Sequence, residues 1–199
     1  MSGEHVVLRP MTTGDVPPVV DLQAAFLKGS VVTELGATFL SAFHRAALAH
    51  PSTQAFVAAD STGGIVGLLC GSTDVHAFNA HVKPRVLRPL VATLLSPRGW
   101  RYMPMFARSL FEAEPQPHIA AELLLLVVDP SVRRRRIAHG LVSELERAFA
   151  ERGIERYRVA VRSQLDVARA FYLATGFTEE QELKVLGAPM TYLTKLVQR

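Results

Sequence analysis

LLLLVVDPSVRRRRIAHGLVSELERAF, residues 123–149, holds a strand, a turn and a helix in one stretch. Its first six residues are all apolar, which predicts a strand buried on both faces rather than one half in water. Asp129-Pro130 ends the run. From Ile137 onward, Ile137, Leu141, Leu145 and Phe149 recur at helical spacing and mark one apolar face of a helix ending near Gly153. Between the two stand four consecutive arginines, Arg133–Arg136. A helix N-terminus carries about half a positive charge and unpaired N–H groups, so each cation placed there is disfavoured by ~0.3–1 kcal/mol. A strand, a tight loop and a helix start together suit a phosphate, because N–H groups and the helix dipole converge on the loop. Arginines would add charge-assisted bonds to it. Taken alone, the same pattern also describes a solvated basic turn. It is neither a P-loop nor a dinucleotide fingerprint, since it lacks their glycine spacing.

The rest of the chain narrows the setting. At 199 residues it suits one domain, 1–199, with a sizeable core. With 49% hydrophobic and 20% charged residues it is a folded rather than a disordered sequence. The start, MSGEHVVLRP, does not read as a secretory signal, and no apolar run approaches the ~18 residues of a membrane span. Cys70 is the only cysteine, which excludes an intrachain disulfide and a cysteine-cluster zinc site. His76, His81 and His118 lack the helical spacing of a zinc pair, so no metal is expected. The expected location is the cytoplasm, without membrane attachment. A net charge of +4 permits an acidic partner without naming one.

Strands and helices interleave along the chain. HVVLRPM is an opening strand, and Asp15 then caps a first helix with Pro17 and Pro18 in its first turn. A second helix over about 35–49 places Leu35, Phe39, Phe43 and Ala47 on one face, and His50-Pro51 ends it. QAFVAAD and IVGLLCGS, joined by STGG, form a hairpin. Residues 75–117 have helical spacing interrupted by prolines at 84, 89, 97 and 104, which predicts two or three helices. After the opening stretch come the strand RYRVAVR, the short helix LDVARAFYLAT stopped by Gly176, and the strands FTEEQELKVL and MTYLTKLVQ. Such an order is that of an α/β layered domain.

Two separated motifs in this order resemble the GNAT superfamily of acyl-CoA-dependent N-acetyltransferases. The first is a hydrophobic strand ending in Val128 and Pro130, followed by a loop with Arg133, Arg136 and Ala138 and then a helix. The second is the short helix with Ala168, Phe171 and Tyr172, followed by Gly176-Phe177. The resemblance implies a mixed, mostly antiparallel, twisted sheet of about six or seven strands flanked by helices and splayed at the acyl-CoA site. Residues 75–117 would be a helical insertion. Two positions depart from the family pattern. Arg136 replaces a loop glycine, so either it takes an ordinary helical conformation with its side chain aside, or coenzyme binding is weakened. Leu165 replaces an asparagine, leaving Asp166 or Ser163 to cap the short helix.

The resemblance implies direct transfer of acetyl from acetyl-CoA to a primary amine of a small molecule or peptide. It implies that Leu126, Val127 and Val128 hold the pantetheine arm and the thioester carbonyl through backbone groups. Arg133, Arg134, Arg135, Arg136, Ile137, Ala138 and His139 would surround the pyrophosphate. Tyr172 occupies the family's proton-donor position; a phenol with a reference pKa of ~10 stays protonated at neutral pH. Its alternative is core packing on an amphipathic helix. Glu122, the lone carboxylate of an apolar strand, stands where some members place a base. Apolar surroundings raise a carboxylate's pKa and suit proton removal from an ammonium. Its alternatives are a strand-end glutamate in solvent, or one paired with an arginine. Trp100, Tyr102, Phe78 and Phe106 are candidates for the acceptor pocket or simply for core. A non-catalytic acyl-CoA sensor or scaffold is the alternative function. Nucleic acid is not expected as a partner, because the arginine cluster is compact and Glu144, Glu146 and Glu151 follow it. The chain is expected as a monomer or homodimer.

Overall fold

The structure, a computed structural model, describes residues 6–27, 30–96, 100, 119–132, 136–185 and 188–197. Seven strands form one sheet: β1 (Val7–Pro10), β2 (Thr53–Ala59), β3 (Ile65–Ser72), β4 (Glu122–Val128), β5 (Arg156–Arg162), β6 (Thr178–Val185) and β7 (Ala188–Leu196). Their order is β1-β2-β3-β4-β5-β7-β6, and every neighbouring pair is antiparallel except β4 and β5. The helices are α1 (Val16–Phe26), α2 (Val31–Glu34), α3 (Ala37–Leu48), α4 (Val75–Leu94), α5 (Ile137–Ala150) and α6 (Asp166–Ala174). Among the described residues no helix is long and apolar enough to cross a membrane.

The helices cover the two faces of the sheet, each with its own core. On one face Ile137, Leu141, Leu145 and Phe149, the stripe read from the sequence, pack against Phe56, Leu69, Leu123 and Val159. On the other, α1 inserts Val16, Val19 and Val20 against Val57, Leu68 and Val127. Beside it, Leu35, Phe39 and Ala47 of the α3 segment meet Phe78, Val82 and Val86 of α4. Phe78 is therefore core and not part of an acceptor pocket, while Trp100 is 72% exposed.

The β4 run fails to alternate for a structural reason. Cys70 pairs with Leu125 but Gly71 pairs with Leu123, so Leu124 is an extra residue in β4. Such a bulge shifts the alternation by one. Leu123, Leu126 and Val128 consequently pack on the α5 side, whereas Leu124, Leu125 and Val127 pack on the α1 and α4 side. Glu122, next to Leu123, projects to that second side as well.

Two sequence expectations are corrected. Pro84 and Pro89 do not divide the 75–94 segment, which is one helix with both prolines inside. Each proline removes one backbone bond, which on its own would break or kink a helix. Burial of Phe78, Val82 and Val86 against α3 outweighs that loss. The rest of the expected insertion, with Tyr102 and Phe106, lies outside the described residues. Asp15 likewise does not cap α1 with its side chain. Its carboxylate accepts bonds from Thr12 N–H at 2.8 Å and from both terminal nitrogens of Arg9 at 2.8 and 2.6 Å. That bonding to Arg9 holds the carboxyl well below the ordinary range.

A buried polar chain joins the first three helices: His44 Nε2 lies 2.8 Å from Gln23 Oε1, and Gln23 Nε2 donates to Thr33 Oγ1 at 3.3 Å. Burial lowers the His44 pKa from 6.5 to about 4. The unfolded chain therefore binds a proton between these values that the folded one refuses. The resulting stability is complete above the unfolded value and is lost as pH falls from there toward 4. Between pH 7 and pH 5 this group removes about 2 kcal/mol, at ~1.4 kcal/mol per pH unit over most of that interval. Urea unfolding of wild type and His44→Gln at both pH values should show a difference of that size in their pH dependence. Equal slopes would refute it.

Candidate active site

β4 and β5 are paired only at Glu122↔Arg158 and Leu123↔Val159. Beyond those two rungs they are no longer paired, and an apolar cleft of about 740 Å³ opens beside β4. Its walls are Leu126 and Val128 of β4, Val132 and residues 136–139 at the start of α5, and Ala168, Phe171 and Tyr172 of α6. Phe26 and Leu27 at the end of α1, Leu165 at the N-cap of α6 and Val167 in its first turn also line it.

Backbone geometry supplies the polar groups. Asp129 N–H donates to Val66 O in β3 at 2.9 Å. Because N–H directions alternate along a strand, those of Leu126 and Val128 point the other way, toward the side that β5 has left. At α5 the first intrahelical bond is Gly140 N–H to Arg136 O, 2.9 Å. The N–H groups of Ile137, Ala138 and His139 precede it and have no intrahelical acceptor. The helix dipole adds partial positive charge at the same place, so this end of the cleft favours an anion.

Of the two alternatives for Arg136, the ordinary helical conformation is not adopted. Its backbone lies at φ 56°, ψ 20°, the left-handed conformation that a glycine takes without penalty, and it is the one non-glycine with positive φ among the described residues. A Cβ in this region costs about 1–2 kcal/mol, so Arg136→Gly should stabilise the unliganded protein, by about 0.5–1 kcal/mol after the added chain entropy of glycine. The same change removes a cation from the mouth of the cleft and should weaken binding of the acetyl-CoA that the sequence resemblance implies. Thermal unfolding and calorimetry should therefore move in opposite senses. A destabilised or tighter-binding variant would contradict this. Arg133, Arg134 and Arg135 lie outside the described residues.

Tyr172 is 6% exposed and reaches the cleft from α6. Phe171 and Phe177 flank its ring edge-on, with centroids 5.3 and 5.2 Å away. Phe177 packs in turn on Tyr157, whose hydroxyl donates to Glu146 Oε1 at 2.6 Å; Lys195 Nζ meets the same oxygen at 2.6 Å. That buried triad ties α5 to β5 and β7 behind Tyr172. Burial raises the Tyr172 phenol well above its ordinary pKa, so it is a protonated donor at neutral pH. His139 sits edge-on to Phe171 at 5.1 Å on the exposed rim.

The second departure is also corrected. Leu165 occupies the N-cap of α6 with no side-chain cap bond. Ser163 Oγ instead lies 3.0 Å from Thr191 Oγ1, and Asp166 sits inside the first turn. There Asp166 favours the helix dipole without capping it.

The structure thus gathers Leu126, Val128, Arg136, Ile137, Ala138, His139 and Tyr172 around one cleft. Two expected site residues stand elsewhere. Val127 turns its side chain into the α1 core. Glu122 is not in the cleft wall but bonds Arg158: Nε to Oε2 at 2.8 Å and Nη2 to Oε2 at 2.6 Å. Of the two local alternatives, pairing with an arginine is the one adopted. Loss of water raises the Glu122 pKa, and the Arg158 charge opposes the rise. Sequence reasoning missed Arg158, although RYRVAVR sets Arg156, Arg158 and Arg162 on one face of β5. It also missed Phe26 and Leu27.

Residues 30–177 match the acetyltransferase (GNAT) family. Solved structures share the fold over nearly the whole chain. SsHAT is 22% identical with a TM-score of 0.66, and the match covers 98% of this chain and 99% of that one. The ribosomal-protein-S18-alanine N-acetyltransferase from Escherichia coli is 12% identical with a TM-score of 0.60, covering 98% and 96%. The PaiA N-acetyltransferase from Thermoplasma acidophilum, solved in complex with coenzyme A, is 14% identical with a TM-score of 0.59, covering 94% and 98%. No curated protein matches the chain in sequence.

Proposed function

The chain belongs to the GNAT acetyltransferase family, and from that premise we propose that it moves acetyl from acetyl-CoA directly to a primary amine of a small molecule or peptide. It is an acyltransferase with acetyl-CoA as cosubstrate. The observation that carries the proposal is the cleft beside β4 where its pairing with β5 ends, at which a buried phenol, two outward strand N–H groups and a helix N-terminus converge.

The parts fit the coenzyme in order. The N–H groups of Ile137, Ala138 and His139, with Arg133–Arg136, take the pyrophosphate. Leu126 and Val128 flank the pantetheine arm, and their N–H groups bond its amides and the thioester carbonyl. These donors are fixed before the reaction starts and so favour the oxyanion that forms there. The amine nitrogen attacks the thioester carbon, the C–S bond breaks, and Tyr172 donates a proton to the departing thiolate. Val127 acts only by holding β4 in place from the α1 core.

Glu122 takes the proton that the amine loses. It projects on the face of the sheet opposite Tyr172, so acceptor and coenzyme meet across the gap between β4 and β5. The E. coli neighbour is named for a protein alanine acceptor, which supports an amine as the nucleophile. The test is a screen of purified protein with acetyl-CoA over polyamines, aminoglycosides, amino acids, amino sugars and peptides with free N-termini or lysines, reading free coenzyme A. Release that depends on an amine, with the acetylated product seen by mass spectrometry, supports the proposal. Tight acetyl-CoA binding with no release over the whole panel replaces it with a binding protein.

A further inference from the structure

We infer that Arg158 is a positioning residue for acetyl transfer, aiming the carboxylate of Glu122 at the acceptor amine and clasping β4 to β5 where the two strands part. The inference rests on the proposed base role of Glu122.

Three observations carry it. First, the grip is one-sided. Nε and Nη2 of Arg158 both donate to Oε2 of Glu122, at 2.8 and 2.6 Å. Oε1 receives no hydrogen bond from the described residues and is left to meet an incoming ammonium. Second, the guanidinium is itself held. It lies over the Tyr192 ring at 4.7 Å from the centroid, and only 10% of its side-chain surface is exposed. A planar guanidinium on an aromatic face loses little further freedom by making two bonds that converge on one oxygen. Third, the pair stands at a particular rung. Glu122↔Arg158 and Leu123↔Val159 are the whole β4–β5 pairing, with Arg158 N–H donating to Ala121 O at 3.1 Å. The ion pair therefore bridges the strands at the foot of the cleft.

Charge follows from the same geometry. A buried carboxylate left alone would take up a proton and cease to be a base at neutral pH. Arg158 is the cation that opposes this. The other groups around it leave that role to Arg158. Across β3 stands Ser72, a buried neutral hydroxyl 2.9 Å from Ser52 Oγ, which in turn lies 2.7 Å from His50 Nδ1. Asp74, at the start of α4, spends its carboxylate on Ala77 N–H. Arg156, two residues along β5, bonds Thr194 Oγ1 and lies 3.8 Å from Glu180. Tyr192 supplies an aromatic face.

The test uses the full chain as wild type, Arg158→Met, Arg158→Lys and Glu122→Gln. The protonation of Glu122 is followed by carbon-13 NMR of labelled glutamate, with its signal assigned by loss in Glu122→Gln. Transfer to spermidine and to a peptide with a free alanyl N-terminus is followed against pH, and acetyl-CoA binding by calorimetry. In Arg158→Met the Glu122 titration should move to higher pH by about one to three pH units. The acid limb of the rate profile should move with it, and acetyl-CoA affinity should hold within about threefold, since the pair lies off the cleft wall. Arg158→Lys keeps a cation without the fork, so its limb should fall between the other two, which also covers a methionine variant that folds poorly. A role in folding alone would lower the rate without moving the limb. An unmoved titration in both variants overturns the inference and leaves the base assignment standing, whereas a limb that stays while the titration moves overturns both. If Glu122→Gln keeps the wild-type limb, the base assignment itself falls and takes this inference with it.

Discussion

Tyr172→Phe should lower kcat by about 100- to 10,000-fold, the usual worth of a general acid, while leaving fold and acetyl-CoA affinity near wild type. The two halves of that expectation come from the same side chain. Its ring is held edge-on by Phe171 and Phe177, and phenylalanine keeps both contacts. Its hydroxyl makes no hydrogen bond to the described residues, so deleting it strands no buried partner. What is lost, on the proposed mechanism, is the proton for the thiolate. Burial holds the phenol above its ordinary pKa, so the wild-type rate should show no alkaline fall from this group until well above pH 9. Free coenzyme A release in single-turnover and steady-state assays measures the drop, and calorimetry and thermal unfolding measure what is kept. Turnover at the wild-type rate would remove Tyr172 from the mechanism. A parallel loss of acetyl-CoA affinity would recast it as a wall of the cleft.

Much of this site was legible because its signals are local. The α5 stripe of Ile137, Leu141, Leu145 and Phe149 repeats every four residues and packs as its period demands. Leu126, Val128 and the start of α5 sit within fourteen residues of sequence, from 126 to 139, and fold into one corner. Tyr172 lies farther along, yet its short helix carries its own pattern. The misreadings share a different origin. Pro84 and Pro89 carry a strong local signal against a helix, and tertiary burial of Phe78, Val82 and Val86 overrides it. The Leu124 bulge has no local signature, because in a run of leucines and valines every register looks equally apolar. Arg136 holds a conformation its residue type disfavours, so the residue type gives no sign of it. Glu122 and Arg158 stand 36 residues apart and meet only because β4 and β5 are neighbours for two rungs. No spacing rule within either strand reports a partner in another. Phe26 and Leu27 reach the cleft for a similar reason, since the end of α1 is carried there by packing on β3 and β4.

Glu122→Gln should change the shape of the pH–rate profile as well as its height. On the proposed mechanism the wild-type enzyme needs the carboxylate ionised and can use an amine that arrives protonated, so its acid limb should follow Glu122. Water exclusion raises that limb above the ordinary carboxylate range, and Arg158 restrains the rise. Glutamine keeps the shape and one acceptor oxygen for Arg158 but accepts no proton. The variant can then use only the fraction of amine already neutral, which grows about tenfold per pH unit below the amine's own pKa. The deficit should therefore be greatest at acidic and neutral pH, about 100- to 10,000-fold, and should shrink steadily as pH rises. Acetyl-CoA affinity should change little, because Glu122 is not in the cleft wall. Folding deserves its own control: Arg158 would keep a buried charge with a neutral partner, a loss that can reach several kcal/mol. Unfolding curves must accompany the kinetics, and the profile is compared only where the variant is folded. A profile that merely scales down at every pH would assign the proton to another acceptor, such as a water. Glu122 would then be left as the anchor of Arg158 at the point where the strands separate.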